Sequence, residues 1–229
     1  IVFMGTPEFA STSLRRLVAE GYNVVAVVTT PDKPAGRGQK MHQSDVKLTA
    51  LELGLPILQP EKLRDESFLE AMRALDPDLG VVIAFRMLPE VVWAMPKHGT
   101  FNLHASLLPE YRGAAPINWA ILNGDSETGV TIMHMATELD AGDIICKVAV
   151  PLRGTETAES LHDDLAALAP EALADAIMQL RNGTADPQEQ DESLMTYAPK
   201  LLRAHGQIDW SQPALQVARK IRAYHSWPG

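Results

Sequence analysis

The stretch FNLHASLLPEYRGAAPINW, from Phe101 to Trp119, begins like a buried strand and places two polar side chains, Asn102 and His104, at alternate positions. Alternate residues of a strand share one face, so the amide and the imidazole can address one reacting atom. Ligands of open parallel sheets bind beyond the carboxyl ends of the strands. The stretch therefore predicts a parallel sheet with polar chemistry at the end of one strand.

Short apolar runs alternate with segments of helical period around this stretch, which is the rhythm of βαβ units. The runs IVFM, NVVAVVTT, LPIL and DLGVVIA read as strands. Helices are expected over residues 7–20, 45–53 and 65–75. This pattern predicts an α/β protein with a Rossmann-like, mostly parallel sheet and helices on both faces.

The second half of the chain continues with a predicted helix in AAPINWAILNG and two strands, GVTIMHM and DIICKVAV, that return on each other like a hairpin. A long helix is expected from Leu161 to Leu180. Pro170 lies inside it and predicts a kink or a break. A short helix is expected over residues 214–223.

Composition limits the function classes. The chain has 229 residues and a net charge of −9, which argues against a broad basic face for nucleic acid. The single cysteine, Cys146, excludes a disulfide framework and indicates a reducing compartment. No apolar run approaches the roughly 18 residues of a membrane span. A cytoplasmic protein without membrane contact is expected.

Asn102 and His104 are suited to stabilising an oxyanion, because the amide donates and the imidazole can donate or shuttle a proton near neutrality. A lone Asn-x-His pattern more often fixes a turn. Asp140, in the loop of ELDAGDII, adds a carboxylate that could reach the histidine. Asp143 in the same segment is expected only to cap the loop. Three polar residues, two from a strand and one from a separate loop, favour catalysis over the turn.

The residues FNLHASLLPEYRGAAPINWAILNGDSETGVTIMHM and LDAGDII resemble the formyltransferase family that uses 10-formyltetrahydrofolate. FMGTPEFA, TTPDKPAGRGQK, LPILQPEKLR and the terminal WPG extend the resemblance over nearly the whole chain. It implies the formyltransferase fold, with Asn102, His104 and Asp140 as the catalytic set. It also implies a folate site formed by Arg86, Leu88, Ser106, Leu107, Leu108 and Pro109.

Arg86 is a departure within this resemblance. The chain reads AFRMLPE where close relatives have a glycine, and an arginine in this loop resembles members that act on purine precursors. The alternative interpretation is a solvated charge at the rim of the site.

The resemblance implies a mechanism in which a neutral amine attacks the formyl carbon on N10 of the folate. Asn102 and His104 would stabilise the tetrahedral oxyanion, and Asp140 would orient the imidazole and accept or relay the proton. No metal is required, and the sequence has neither CxxC pairs nor HExxH spacing.

Three acceptors recur in this family: methionine on initiator tRNA, glycinamide ribonucleotide, and an amino sugar on a nucleotide. The loop GTPEF has one flexible glycine where a phosphate cradle needs several, which disfavours the ribonucleotide. A hydrolase that releases formate and a non-enzymatic nucleotide-binding module also remain as alternatives.

The loop TTPDKPAGRGQKM favours charged initiator tRNA, because Lys33, Arg37 and Lys40 can contact phosphates. Its prolines and glycines (Pro31, Pro34, Gly36 and Gly38) are expected to prevent regular structure, and composition alone suits a flexible surface loop. The family's sugar-modifying members generally lack this segment.

The resemblance also implies a domain organisation. Residues 1–181 form the catalytic domain, and residues 182–229 form a linker and the start of a C-terminal region whose barrel domain is absent from this chain. The net negative charge fits a tRNA enzyme if that barrel makes most of the RNA contact. A monomer is expected.

Overall fold

The computed structural model describes residues 1–35 and 40–229. They form two compact units, residues 1–103 and residues 104–229. None of the helices in these described residues combines the length and the apolar character that a membrane span needs.

The first unit is built from strands and helices in alternation. Its strands are β1 (Val2–Gly5), β2 (Ala26–Val28), β3 (Lys33–Ala35), β4 (Lys40–His42), β5 (Ile57–Leu58), β6 (Gly80–Ile83) and β7 (Thr100–His104), the last residue of which opens the second unit. Its helices are α1 (Glu8–Ala19), α2 (Asp45–Glu52), α3 (Glu66–Ala74) and α4 (Glu90–Trp93).

Five of these strands pair in parallel in the order β7, β6, β1, β2, β5. Every residue of β1 and β6 is buried, as expected of strands covered on both faces. The chain steps from β1 outward to β5 and then returns to β6 and β7 on the other side. Right-handed crossovers therefore place α1 and α2 on one face and α3 and α4 on the other. The predicted α/β fold is confirmed, and β1 and β6 flank its switch point.

The segment around Pro34 differs from its prediction. β3 and β4 form an antiparallel pair in which Pro34 lies opposite Met41. Proline is tolerated in an edge pair because its missing N–H costs no bond on the open side. The expectation that prolines and glycines prevent regular structure here is wrong for Lys33–Ala35 and Lys40–His42. Residues 36–39, which include Arg37, Gly36 and Gly38, lie outside the described residues.

The second unit contains four strands and three helices. The strands are β8 (Arg112–Gly113), β9 (Glu127–His134), β10 (Ile144–Pro151) and β11 (Tyr197–Ala198). The helices are α5 (Pro116–Asn123), α6 (Ala158–Asn182) and α7 (Ala214–Ala223). β9 and β10 are antiparallel, which confirms the predicted hairpin-like return. The two-residue strands β8 and β11 pair in parallel and were not expected from the sequence.

Helix α6 continues through Pro170, so the predicted break does not occur. Its N-terminus is fixed by a capping box between Thr157 and Ser160, and it ends at the left-handed Gly183. Buried residues such as Leu161, Leu165 and Leu173 form the face that packs on β9 and β10. This apolar packing offsets the backbone hydrogen bond that Pro170 cannot donate.

Glu156 precedes α6 and is only 4% exposed. Its carboxylate accepts hydrogen bonds from the backbone N–H groups of Arg153 at 2.7 Å and Gly154 at 2.9 Å, and from the Arg153 guanidinium at 3.1 Å. Burial raises the pKa of Glu156, but bonds from Arg153, from its own backbone and from Gly154 together outweigh burial and hold the pKa at about 2.

A Glu156→Gln substitution tests this carboxylate. A lowered folded-state pKa contributes stability above the ordinary glutamate value, and that stability is lost as the pH falls toward the folded pKa of about 2. We expect E156Q to lower the free energy of unfolding by about 2 kcal/mol at pH 7, with the difference narrowing at pH 3. Denaturant titrations at both pH values measure this. Glu159→Gln, in an exposed position, is the control. A deficit equal at both pH values would contradict the assignment.

Candidate active site

His104 ends β7 with its side chain buried, at 8% exposure. Its Nε2 lies 2.8 Å from the backbone oxygen of Tyr111. A carbonyl oxygen can only accept, so Nε2 carries a proton and donates it. In the neutral ring, the lone pair therefore lies on the other nitrogen, Nδ1.

Asp140 faces that second nitrogen. Its Oδ2 lies 3.6 Å from His104 Nδ1, and its side chain is 9% exposed. The backbone N–H of Gly113 donates to the same carboxylate oxygen at 2.8 Å. The separation of 3.6 Å is too long for a direct hydrogen bond, and it suits a proton passed after a small movement or through one water. The structure thus brings together the predicted histidine and aspartate.

Tyr111 fixes the orientation of His104, a role that no motif in the sequence indicates. Its φ of 62° is uncommon for a residue with a side chain. Three bonds hold it: its N–H donates to Thr196 Oγ1 at 2.9 Å, its hydroxyl donates to Asp125 at 2.6 Å, and Asn123 donates to that hydroxyl at 2.8 Å. Burial and the Asp125 carboxylate raise the pKa of the Tyr111 phenol, which keeps it a neutral donor.

Asn102 lies two residues before His104 on β7 and is half-buried. Alternate strand positions share a face, so its amide emerges on the side of the sheet that His104 uses. The β7 register against β6, with Asn102 opposite Val82, fixes that face.

The segment Ser106–Pro109 is held by its own hydrogen bonds. Ser106 Oγ donates to the Glu110 carbonyl at 2.6 Å, and Lys147 Nζ donates to the Leu108 carbonyl at 2.8 Å. Thr131 bridges the segment, because its hydroxyl donates to Ser106 O at 2.7 Å and accepts from Leu108 N at 3.1 Å. Ser106 and Leu108 have no exposed surface, whereas Leu107 is half-buried. Leu107 is therefore partly accessible, unlike Ser106 and Leu108.

Arg86 follows β6 in the first unit, beside the switch point. Its guanidinium donates to the backbone oxygens of Pro60 and of Glu61, the latter at 2.8 Å, and lies 5.5 Å from the centre of the Phe85 ring. Burial lowers the pKa of Arg86. Within the described part of the chain its buried Nε has no hydrogen-bond partner. Leu88, two residues on, is 5% exposed.

The three predicted RNA contacts are only partly described. Lys33 is exposed and lies opposite His42 in the β3–β4 pair. The backbone of Lys40 opens β4, and Arg37 lies outside the described residues.

A doubly wound α/β fold is typical of enzymes that bind ligands beyond the carboxyl ends of their strands, and a buried histidine beside a carboxylate is typical of acid–base catalysis. Residues 1–177 match the family described as formyl transferase, and residues 200–229 match its C-terminal domain. The chain belongs to the formyl transferase family.

Relatives with assigned names are similar over the whole chain. A methionyl-tRNA formyltransferase of Bacteroides thetaiotaomicron is 51% identical over 232 residues, which cover 100% of this chain and 72% of that protein. A methionyl-tRNA formyltransferase of Geobacter metallireducens is 47% identical over 230 residues, covering 100% of this chain and 74% of its own length.

Solved structures share the fold at lower identity. An N-formyltransferase from Helicobacter canadensis, in complex with folinic acid and dTDP-3-aminofucose, superposes with a TM-score of 0.74 at 21% identity, over 97% of this chain and 79% of that one. Glycinamide ribonucleotide transformylase 1 from Symbiobacterium toebii gives a TM-score of 0.67 at 20% identity, over 83% and 93% of the two chains.

Gly113 provides a test of the site's backbone. Its φ is 120°, and a Cβ there would lie 2.8 Å from the Ala198 carbonyl oxygen. We expect Gly113→Ala to lower the free energy of unfolding by about 1–3 kcal/mol and to lower turnover, because the N–H that binds Asp140 must shift.

Gly154→Ala is the control, since Gly154 also has a positive φ of 79° but nothing within 4 Å of an added Cβ. Thermal unfolding and initial rates compare the two variants. Equal stability and equal turnover would show that the Ala198 contact and the Asp140 bond have no part in the effect.

Proposed function

We propose that this protein transfers the formyl group of 10-formyltetrahydrofolate to the free α-amino group of methionyl-initiator tRNA, by direct amine attack through a tetrahedral intermediate. The observation that carries the proposal is the whole-chain identity of about half to relatives named methionyl-tRNA formyltransferase. The buried His104 and Asp140 pair is consistent with the chemistry, since the attacking amine must lose a proton.

Asn102 is the proposed oxyanion donor. As the amine adds, the formyl oxygen becomes negative, and an N–H group fixed on the strand stabilises that charge without reorganising. His104 can share this task only if a proton sits on Nδ1 or if Nε2–H is shared with Tyr111 O. The division we infer gives the oxyanion mainly to Asn102 and the proton to His104 and Asp140 together.

Asp140 is the proposed proton acceptor, acting with His104. A neutral imidazole with its proton on Nε2 presents the lone pair of Nδ1 toward the carboxylate. A proton released by the amine can occupy the space between these two acceptors, directly or through a water. The lone pair of Nδ1 and the carboxylate repel each other, and the low exposure of both side chains strengthens this repulsion. A shared proton offsets it.

The folate is the formyl donor, and when bound it supplies the activated formyl group on N10. The residues proposed to contact it are Arg86, Leu88, Ser106, Leu107, Leu108 and Pro109. The buried Nε of Arg86, which has no hydrogen-bond partner among the described residues, fits a polar ring atom of such a ligand, and the apolar Leu107 fits its flat face. The buried Ser106 and Leu108 would act by shaping the segment.

Lys33, Arg37 and Lys40 are the proposed contacts to the tRNA backbone. The exposed Lys33 on the β3–β4 pair supports this role. Because the chain has a net charge of −9, its surface as a whole does not attract RNA, and positive contacts must be confined to a local element such as this one. We further infer a cytoplasmic monomer without membrane contact whose catalytic domain spans residues 1–181.

Labelled transfer tests the function. The protein is given 10-formyltetrahydrofolate labelled in the formyl carbon, together with methionyl-initiator tRNA, a nucleotide amino sugar, or buffer. Label is expected on the methionine. Label on the sugar would assign a different acceptor, and equal formate release in buffer would make the protein a hydrolase.

Asn102→Ala tests the oxyanion role. The variant should lower kcat on the order of 100-fold with folate binding retained. An equal loss of folate binding would contradict the oxyanion role.

Lys33→Ala tests the RNA contact. Loss of one phosphate contact should weaken methionyl-tRNA use and reduce the slope of log affinity against log salt by roughly one, with folate KM unchanged. Lys97→Ala removes the same charge from an exposed lysine paired with Asp76 and Asp78, and serves as the control. An identical salt slope in the two variants would remove Lys33 from the interface.

A further inference from the structure

We propose that Gln190, together with Arg112, is a positioning residue that holds the Asp140 loop in its reactive place. This inference rests on the proposed function, since it assigns Asp140 a part in the chemistry. It concerns the segment Gln188–Ala198, which lies between the parts of the chain that match the two formyl transferase descriptions, residues 1–177 and 200–229.

The side chain of Gln190 binds the main chain of the Asp140 loop. Its Nε2 donates to the backbone oxygens of Asp140 and Gly142, each at 2.8 Å. Its side chain lies in the interior, with the residue 5% exposed. Asp140 has a φ of 52°, a left-handed conformation that costs free energy in a residue with a Cβ. The two bonds lie on either side of Ala141 and hold the turn that Asp140 begins in that conformation.

Arg112 fixes the opposite end of the same amide. Its Nε and Nη2 donate to Gln190 Oε1 at 3.0 and 2.7 Å. Arginine can only donate and carbonyl oxygens can only accept, so the amide has one possible orientation. All four hydrogen-bonding positions of Gln190 are thereby used. Glu192 accepts from Arg112 Nη2 at 2.7 Å and balances the charge of this buried cation, which is 3% exposed.

The contacts close a ring around Asp140. Gly113, the residue after Arg112, donates its backbone N–H to the Asp140 carboxylate, while Arg112 reaches the Asp140 carbonyl through Gln190. Asp140 is therefore held at its carboxylate and at its main chain by two consecutive residues. Tyr111, the residue before them, accepts from His104. The tripeptide Tyr111–Arg112–Gly113 sets the distance between the histidine and the aspartate.

The rest of the segment braces that tripeptide. Gln188 pairs with Ile144 through two backbone bonds of 2.8 Å just after the loop. Thr196 accepts from Tyr111 N through its hydroxyl and from Arg112 N through its carbonyl, both at 2.9 Å. β11 then pairs with β8. A displacement of this segment's main chain would therefore shift the loop or the tripeptide, and with either of them the separation of His104 and Asp140.

Gln190→Met tests the inference in the full chain, since methionine has a similar shape but no hydrogen-bonding amide. We expect kcat for methionyl-tRNA formylation to fall by about 10- to 100-fold, with the folate KM within about twofold, because a misplaced catalytic group costs rate rather than binding. Gln188→Met is the matched control: the exposed Gln188 side chain donates to Asp186 O, away from the loop, and its replacement should leave kcat unchanged.

A double-mutant cycle with Asp140→Asn separates positioning from general destabilisation. If Gln190 acts through Asp140, Gln190→Met should cost almost nothing further in the Asp140→Asn background. A full additional loss there would overturn the proposal, as would a kcat for Gln190→Met equal to that of Gln188→Met. If Gln190→Met does not fold, Gln190→Glu replaces it: the acceptor for Arg112 stays, both donors to the loop are lost, and wild-type kcat would overturn the proposal.

Amide hydrogen exchange tests the same contacts by a measurement that does not depend on enzyme activity. Gly113 N–H and the amides of residues 138–143 should exchange faster in Gln190→Met but not in Gln188→Met. Unchanged exchange would overturn the positioning role. If the wild type fails to formylate methionyl-tRNA, the proposed function fails by itself, and the exchange data still decide whether Gln190 holds the loop.

Discussion

The structure depends on keeping a carboxylate, Asp140, nearly out of water and facing His104. A buried carboxylate is costly unless hydrogen bonds compensate it. Here the compensation comes from the backbone: Gly113 N–H binds the carboxylate, and Tyr111 O binds the imidazole. Backbone groups cannot rotate away as side chains can, so the left-handed conformation of Tyr111 and the positive φ of Gly113 are the cost of placing them.

The fold was predictable because its signals are repeated along the chain. Apolar runs and helical periods recur in every βαβ unit, so the limits of α1, α2 and α3 differ from their predictions by a residue or so. Asn102, His104 and Asp140 could be named as candidates from the sequence, because their side chains can donate hydrogen bonds or carry protons. Gln190 could not, because it lies 50 residues from its partner Asp140, and β8 and β11 are too short for any periodicity. Gly113 could not be identified either, because it contributes a backbone N–H, which every non-proline residue has.

The hydrogen bond from His104 to Tyr111 changes how the predicted roles divide. Sequence reasoning gave Asn102 and His104 one shared task at the oxyanion. With Nε2–H already donated to a carbonyl, the ring presents Nδ1 to Asp140, an arrangement that suits moving a proton. The reaction needs both events, charge stabilisation on oxygen and proton removal from nitrogen. The proposed roles are therefore different, with Asn102 assigned to the oxygen and His104 to the proton.

The segment Gln188–Ala198 connects the Asp140 loop with the C-terminal part of the chain. It joins the long helix α6 to residues 200–229, which match the C-terminal domain of the family, and on the way it touches both the Asp140 loop and the strand beside it. Binding energy gained far from the reacting amine can raise kcat only if it is spent on placing catalytic groups. A large acceptor such as tRNA has most of its surface far from its amine. A connecting segment bonded to the main chain of Asp140 offers a physical route by which distant contacts can set the separation of His104 and Asp140.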